Sequence, residues 1–456
     1  MTLDLAVAQR FAEASRAEFE RALASLVEIP SVSAEPEHRP DLDRAAVRAA
    51  EILTALGGQA EILETPGAPL VTGGFVVDPG LPTVTIYNHL DVQPAGEPEW
   101  RSQPFRFTRE GQDIYRGRGT TDDKGPALTA AWGAKLAREQ GVPLNIRVLW
   151  ELEEEIGSPN FRAGLERHRA ALATQSIVVS DTVWLTRGKP STPAGLRGMQ
   201  SFTLSLVTGA HDLHSGLVGG AARNPFSELV SLAAEMFDGR SGQVKIPGFY
   251  DDAVPLSEAE AASFRASGFR LEQFLRDHHQ PLLRSHDADE VMARVWAQPT
   301  MEIHGFAGGY SGPGVKSAVP ARAELKMSCR LVPNMRGARV MELISAFVRA
   351  RAPDVVVRAE GRLEAYRGLT AGPYAEAVLE GYQFGFGERA AIVREGVSIG
   401  AVPTMAEILG APILFMGLSL PEHGYHAPNE FYDWPQAAGG MAAFAKYFER
   451  VAQIPR

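Results

Sequence analysis

The chain has 456 residues, 45 basic against 55 acidic, a formal charge of -10 at pH 7 and one cysteine, Cys329. That length leaves room for two or three domains of roughly 150 residues and a large core. An acidic balance with no Lys/Arg block argues against a nucleic-acid partner, and one thiol excludes an intramolecular disulfide framework, as suits a reducing compartment.

The first 33 residues are polar, with Phe11, Phe19, Leu23 and Leu26 at helical spacing, and read as an amphipathic helix rather than a secretory signal. No stretch of about 18 apolar residues follows, so the expectation is a cytoplasmic protein that does not enter a membrane. Next come a helix near 44–56, strands near 70–76 and 83–88, a helix near 125–141, and strands near 145–151 and 177–180. This alternation predicts an α/β domain around a largely buried sheet. From about Gly198 the texture changes. "MQSFTLSLVTG" and "ARAELKMSCRLVP" alternate apolar and polar residues, as strands with one solvated face do. Between them lie the helix "NPFSELVSLAAEMF" and one long helical stretch from about 257 to 297. The middle of the chain therefore reads as an α+β insertion. After about 369 the α/β texture returns, with "EILGAPILFMG" as helix end then buried strand and a last helix near 435–451.

The apolar strands end in ionisable residues. "TVTIYNHLDVQP" sets His89 and Asp91 two apart, on one side of a strand terminus. An imidazole that holds a metal through one nitrogen usually gives its other N–H to a carboxylate, although a surface His beside an Asp has the same spacing. "GRGTTDDKGP" puts Asp122 and Asp123 at a turn before a helix, where one aspartate is explained as a cap more easily than two. "WELEEEIGSPN" follows the apolar "IRVLW" with Glu151, Glu153, Glu154 and Glu155; a solvated turn is the ordinary account, but at a buried strand end a cation is the natural compensation. Asp181 follows "IVVS", and His426 lies beyond "APILFMG" in a Gly/Pro-rich loop. Open α/β sheets place ligands at the carboxyl ends of their strands, so these groups are expected to converge. Mixed imidazole and carboxylate donors suit zinc, with manganese or cobalt as alternatives.

"HLDVQP", "GRGTTDDKGP", "EEEIGSP", "SDT" and "GYHAPNE" stand in the order seen in the di-zinc peptidase family of carnosinase-type dipeptidases, aminoacylases, glutamate carboxypeptidases and succinyl-diaminopimelate desuccinylase. The chain resembles that family over nearly its whole length. "DLHSG", "RLVPNM" and "REGVSI" make it most similar to the carnosinase-like dipeptidases.

The resemblance implies a mixed-sheet α/β catalytic domain, residues 1–198 and 369–456, with an inserted α+β lid and dimerisation domain, 199–368. It implies that Asp122 bridges two metal ions, with His89 and Asp181 completing one site and Glu155 and His426 the other. Asp91 would orient His89, and Glu154 would be the general base; a slip of one residue would reassign the glutamates. His214, Ser317, Arg330 and Ser398 would bind substrate, His214 acting in the partner's site of a homodimer and Arg330 taking the terminal carboxylate of a small peptide. A structural salt bridge is the competing account of Arg330. A cis peptide after Asp122 is also implied. The chain departs from the pattern at "PEHGYHAPNE": His423 is an additional candidate ligand, and Tyr425 replaces a small residue and is expected to narrow the pocket. His211 is expected at the rim or in a structural role.

Overall fold

The structure, a computed structural model, describes residues 2–277 and 280–455. A six-stranded sheet runs in the order Gln59–Leu63, Leu70–Phe75, Asn145–Glu151, Thr83–His89, Ser176–Val179, Ile413–Phe415. The last four are mutually parallel and the first two form an antiparallel edge. Side chains alternate between its faces. Val84, Ile86 and Val148 pack with the helices Leu5–Val27, Arg39–Ala55, Lys124–Glu139, Pro373–Phe386 and Trp434–Val451. Tyr87, Leu149, Ile177 and Val179 pack on the opposite side with Phe161–His168 and Ala401–Leu409. Helices therefore cover both faces, which is why these strands read as continuous apolar runs.

The middle of the chain builds an antiparallel sheet in the order Thr300–Gly308, Arg322–Leu331, Gly198–Val207, Val356–Leu363. Phe202, Leu204, Leu206, Leu325, Met327, Cys329 and Leu331 face the helices Pro225–Met236 and Gly337–Arg351. The alternate residues, among them Ser201, Glu324, Lys326 and Arg330, form the other face, as the period-2 pattern predicts.

The long helical stretch expected over 257–297 is helical but interrupted. Helices Glu258–Ala266, Leu271–Asp277 and Ala288–Trp296 occupy it, and Gly268, at φ +81°, ends the first turn sequence. Only glycine enters that left-handed region without a Cβ penalty. Phe264, Met292 and Trp296 pack on Val393 of the strand Ala391–Glu395, outside the core of the antiparallel sheet. Among the described residues no helix is long and apolar enough to cross a membrane.

Candidate active site

His89 ends its strand directly opposite Glu151, and Asp181 lies two residues beyond the next parallel strand. The carboxyl ends of neighbouring strands thus bring these side chains together. His89 is 1% exposed, with Nε2 3.0 Å from Asp122 Oδ1 and 3.8 Å from Asp181 Oδ2. Asp122 Oδ2 lies 2.9 Å from His426 Nε2, which is 3.2 Å from Glu155 Oε2. Asp122 therefore stands between two imidazoles, each with a further carboxylate. The Asp122–Asp123 peptide is cis.

The turn that carries Asp122 is tied from below. Glu430 accepts from the backbone N–H groups of Gly119, Thr121 and Asp122, and from Arg118 Nη1 at 3.0 Å. Arg118 also donates to the carbonyls of Pro94 and Ala427, so one buried ion pair joins the loops after His89, before Asp122 and after His426. Gly119 has φ +87°, and a Cβ there would lie 2.7 Å from Val92 Cγ1, so the two loops approach only without a side chain.

Asp91 sits where the spacing expects it, but its carboxylate does more than face His89. Oδ1 and Oδ2 accept the backbone N–H groups of Glu154 and Glu155, at 3.1 and 3.0 Å. His89 Nδ1 is nearer the Asp91 carbonyl, 3.0 Å, than the carboxylate, 3.4 Å. The three glutamates part company. Glu153 receives Ala68 N–H and Asn160 Nδ2, and Glu155 receives Gln93 Nε2 at 2.6 Å. Burial pushes the Glu154 carboxyl well above its ordinary range, and the Asp181, Glu155 and Glu151 carboxylates add to this against the opposing charge of His89.

Asp123 is not explained as a cap. It holds the N-cap position of Lys124–Glu139 without a capping hydrogen bond, and its Oδ2 accepts from Asn88 Nδ2 at 2.7 Å. Its Oδ1 is buried with no partner. His89, Asp123 and Asp181 each present a donor atom within 4.8 Å of the others, and so do Asp122, Glu155 and His426. Asp123 is thus a member of the cluster that the doubled aspartate alone does not single out.

His423 is not part of this cluster. It is buried, 3.2 Å from Asp433 Oδ2 and 2.9 Å from Thr121 Oγ1, and braces the Asp122 turn from behind. Tyr425 donates its phenol to Asp181 Oδ1. His211 is exposed.

The donor set fits divalent cations. Burial alone would lower the imidazole of His426, but Asp122 and Glu155 raise it to about 11. His89 is likewise raised well above its ordinary value against burial, by Asp122, Asp91 and Asp181. A cluster that pulls two imidazoles towards protonation has positive charge missing, and a cation on the same lone pairs supplies it.

Arg330 is half-buried, makes no ion pair among the described residues, and donates to Ser398 Oγ at 3.0 Å. Desolvation lowers its pKa. Three residues before Ser398, Glu395 is half-buried with its carboxylate turned inward: Oε1 accepts Val183 N–H at 3.3 Å, and the buried Oε2 has no partner. Burial, with the Asp181 charge, pushes it up to about 8. This carboxylate was visible in "REGVSI" but had no spacing to distinguish it. His214 and Ser317 lie elsewhere. His214 is exposed in the pair of short strands Leu213–His214 and Ala318–Val319, and the Ser317 carbonyl accepts Ser215 N–H. The structure thus brings Ser398 to Arg330 and leaves Ser317 with His214.

The sequence profile of peptidase family M20/M25/M40 matches residues 85–450. The chain is 30% identical to the Cys-Gly metallodipeptidase dug1 of Schizosaccharomyces pombe, over 96% of each chain. It is 29% identical to the Beta-Ala-His dipeptidase of Homo sapiens, over 94% of this chain and 88% of that one. The solved structure of the di-peptidase Dug1p from Saccharomyces cerevisiae superposes with a TM-score of 0.87 at 26% identity, covering 100% of both chains. Motifs, fold and kinship agree: the chain is an enzyme of peptidase family M20/M25/M40 and belongs to its carnosinase-like dipeptidase branch.

Proposed function

We propose that the protein hydrolyses dipeptides or short peptides with a free C-terminal carboxylate, with two divalent ions held by His89, Asp122, Asp181, Glu155 and His426. Such ions, zinc first and manganese or cobalt as alternatives, would polarise the scissile carbonyl and acidify water. Glu154 takes the proton of the attacking water and delivers one to the leaving amine as the C–N bond breaks. A carboxylate beside the ions but outside their ligand set is free to take a proton and return one. Asp91 holds the backbone of Glu154 and Glu155, so the base and its neighbour keep their separation. Arg330 and Ser398 bind the substrate carboxylate.

The observation that carries the substrate class is Glu395. An inward-turned carboxylate with one buried oxygen unpartnered, close enough to feel the Asp181 charge, matches the cationic amine of a free N-terminus. An N-acyl or N-carbamoyl amino acid would leave it uncompensated, which favours the dipeptide over that alternative. The names of the relatives, dipeptidases for Beta-Ala-His and Cys-Gly, support the same substrate class.

His214 and Ser317 are read as contributions from a second copy. They adjoin Arg322, at the opposite end of the strand Arg322–Leu331 from Arg330. Eight residue steps at strand rise separate those ends by about 27 Å, too far for one copy's His214 to share a pocket with its own Arg330. The segment 199–368 then serves as lid and dimerisation domain on a catalytic body of 1–198 and 369–456, with helices Glu258–Ala266 and Ala288–Trp296 reaching back to that body.

The test is hydrolysis of a dipeptide panel and of N-acetyl amino acids by metal-loaded wild type and by Glu395→Gln. Dipeptides are cleaved, chelator stops the reaction, and Glu395→Gln raises KM for free-amine substrates by about tenfold or more. Turnover confined to the acylated panel would move the substrate class to the alternative.

A further inference from the structure

Tyr425 touches one member of each ligand group. Its phenol donates to Asp181 Oδ1, joining positions 244 residues apart, while Asp181 Oδ2 faces His89 Nε2 at 3.8 Å. Its ring stacks on the imidazole of His426, with centroids 5.4 Å apart and planes inclined by 22°. Both partners have reason to need it. A carboxylate with two free oxygens can ligate a metal through either or both, whereas a phenol hydrogen bond on Oδ1 occupies one of that oxygen's lone pairs and leaves Oδ2 the better ligand. The side chain of His426 is 52% exposed and is held at Nε2 by Asp122 and Glu155, so a ring packed on its face helps to set its plane.

We propose that Tyr425 is a positioning residue that sets both halves of the metal centre, its hydroxyl biasing Asp181 towards Oδ2 and its ring bracing His426. The assignment rests on the two-metal reading given above and adds to it a side chain outside the ligand set. Outer partners that orient ligands typically change metal affinity about 10–100-fold when removed. The two tasks separate by substitution: Tyr425→Phe keeps the ring and loses the hydroxyl, and Tyr425→Ala loses both.

The experiment titrates metal-free full-length protein with zinc by calorimetry, and with cobalt followed by visible absorption. Wild type takes up two equivalents. Tyr425→Phe is expected to bind one of the two about tenfold more weakly and to leave the other unchanged, and Tyr425→Ala to weaken both. The cobalt spectrum of the affected equivalent shifts in Tyr425→Phe, a change that a loss of folding stability alone does not produce. If Tyr425→Ala does not fold, Tyr425→Leu fills the volume without stacking and takes its place. Wild-type affinities in Tyr425→Phe, or identical behaviour of the two variants, would overturn the proposal. A wild type that binds one equivalent instead defeats the two-metal reading, and Tyr425's double role with it.

Discussion

In the six-stranded sheet helices cover both faces, and the ionisable groups at the strand ends gather within reach of one another; in the four-stranded sheet one face is polar and His214 and Ser317 sit exposed at its margin. Asp122 alone is approached by two imidazoles and by Glu430 through its backbone. His214 receives a hydrogen bond from Gly216 N–H two residues away. A dense network fixes geometry before substrate arrives, and a sparse one leaves its residue to be ordered by a second surface. Under the proposed function, the covered sheet carries the chemistry and the open sheet offers binding groups to the site of a second copy.

The sharpest way to break this comparison is to damage the two regions in separate copies. Glu154→Gln is expected to lower kcat by about 10³-fold while keeping metal, the scale of losing a general base. His214→Ala on its own also loses most activity. Mixed and allowed to exchange subunits, the two inactive variants regain about one quarter of wild-type activity, because one site in each mixed dimer has both residues intact. No recovery, in samples shown by mass to contain mixed dimers, would return His214 to an ordinary loop residue.

Arg330→Ala has the next largest effect and lies where the two regions meet. Its guanidinium is half-buried without a carboxylate, so its removal is expected to raise KM for dipeptides about 100-fold with kcat far less altered. A Lys substitution restores charge but not the planar fork, and recovers only part of the loss. Equal falls in kcat and kcat/KM would instead place Arg330 among groups that act in the transition state.

The covered sheet was legible because its strands are short apolar runs with polar stops, a signal that survives without knowledge of partners. His89, Asp91, Asp122, Glu155, Asp181 and His426 each follow such a run or turn, and the structure gathers them. What lay outside the sequence was contact between distant segments. Nothing local links Tyr425 to Asp181, or separates Glu153, which faces Ala68 and Asn160, from its neighbours. The interruptions in the stretch 257–297 were hidden for a related reason: its composition favours helix throughout, but Gly268 and a tertiary partner, the strand Ala391–Glu395, decide where helices stop and what they cover.

The smallest expected effect concerns that same junction. Arg394, buried in the strand Ala391–Glu395, is ion-paired to Glu260 at the start of the helix Glu258–Ala266. Burial acts to raise the Glu260 carboxyl, but hydrogen bonds from Ser257 and the Arg394 guanidinium hold it below its ordinary 4.5. A carboxyl with a depressed folded pKa contributes stability that is complete above about pH 4.5 and lost as pH falls through the folded value. Arg394→Met should therefore cost on the order of 2 kcal/mol at pH 7, less than for a fully buried pair because Glu260 is partly exposed. The gap between wild type and variant, read from thermal unfolding across pH 3 to 7, should narrow on acidification. A gap that stays constant across that range would mean that Arg394 works there by packing alone.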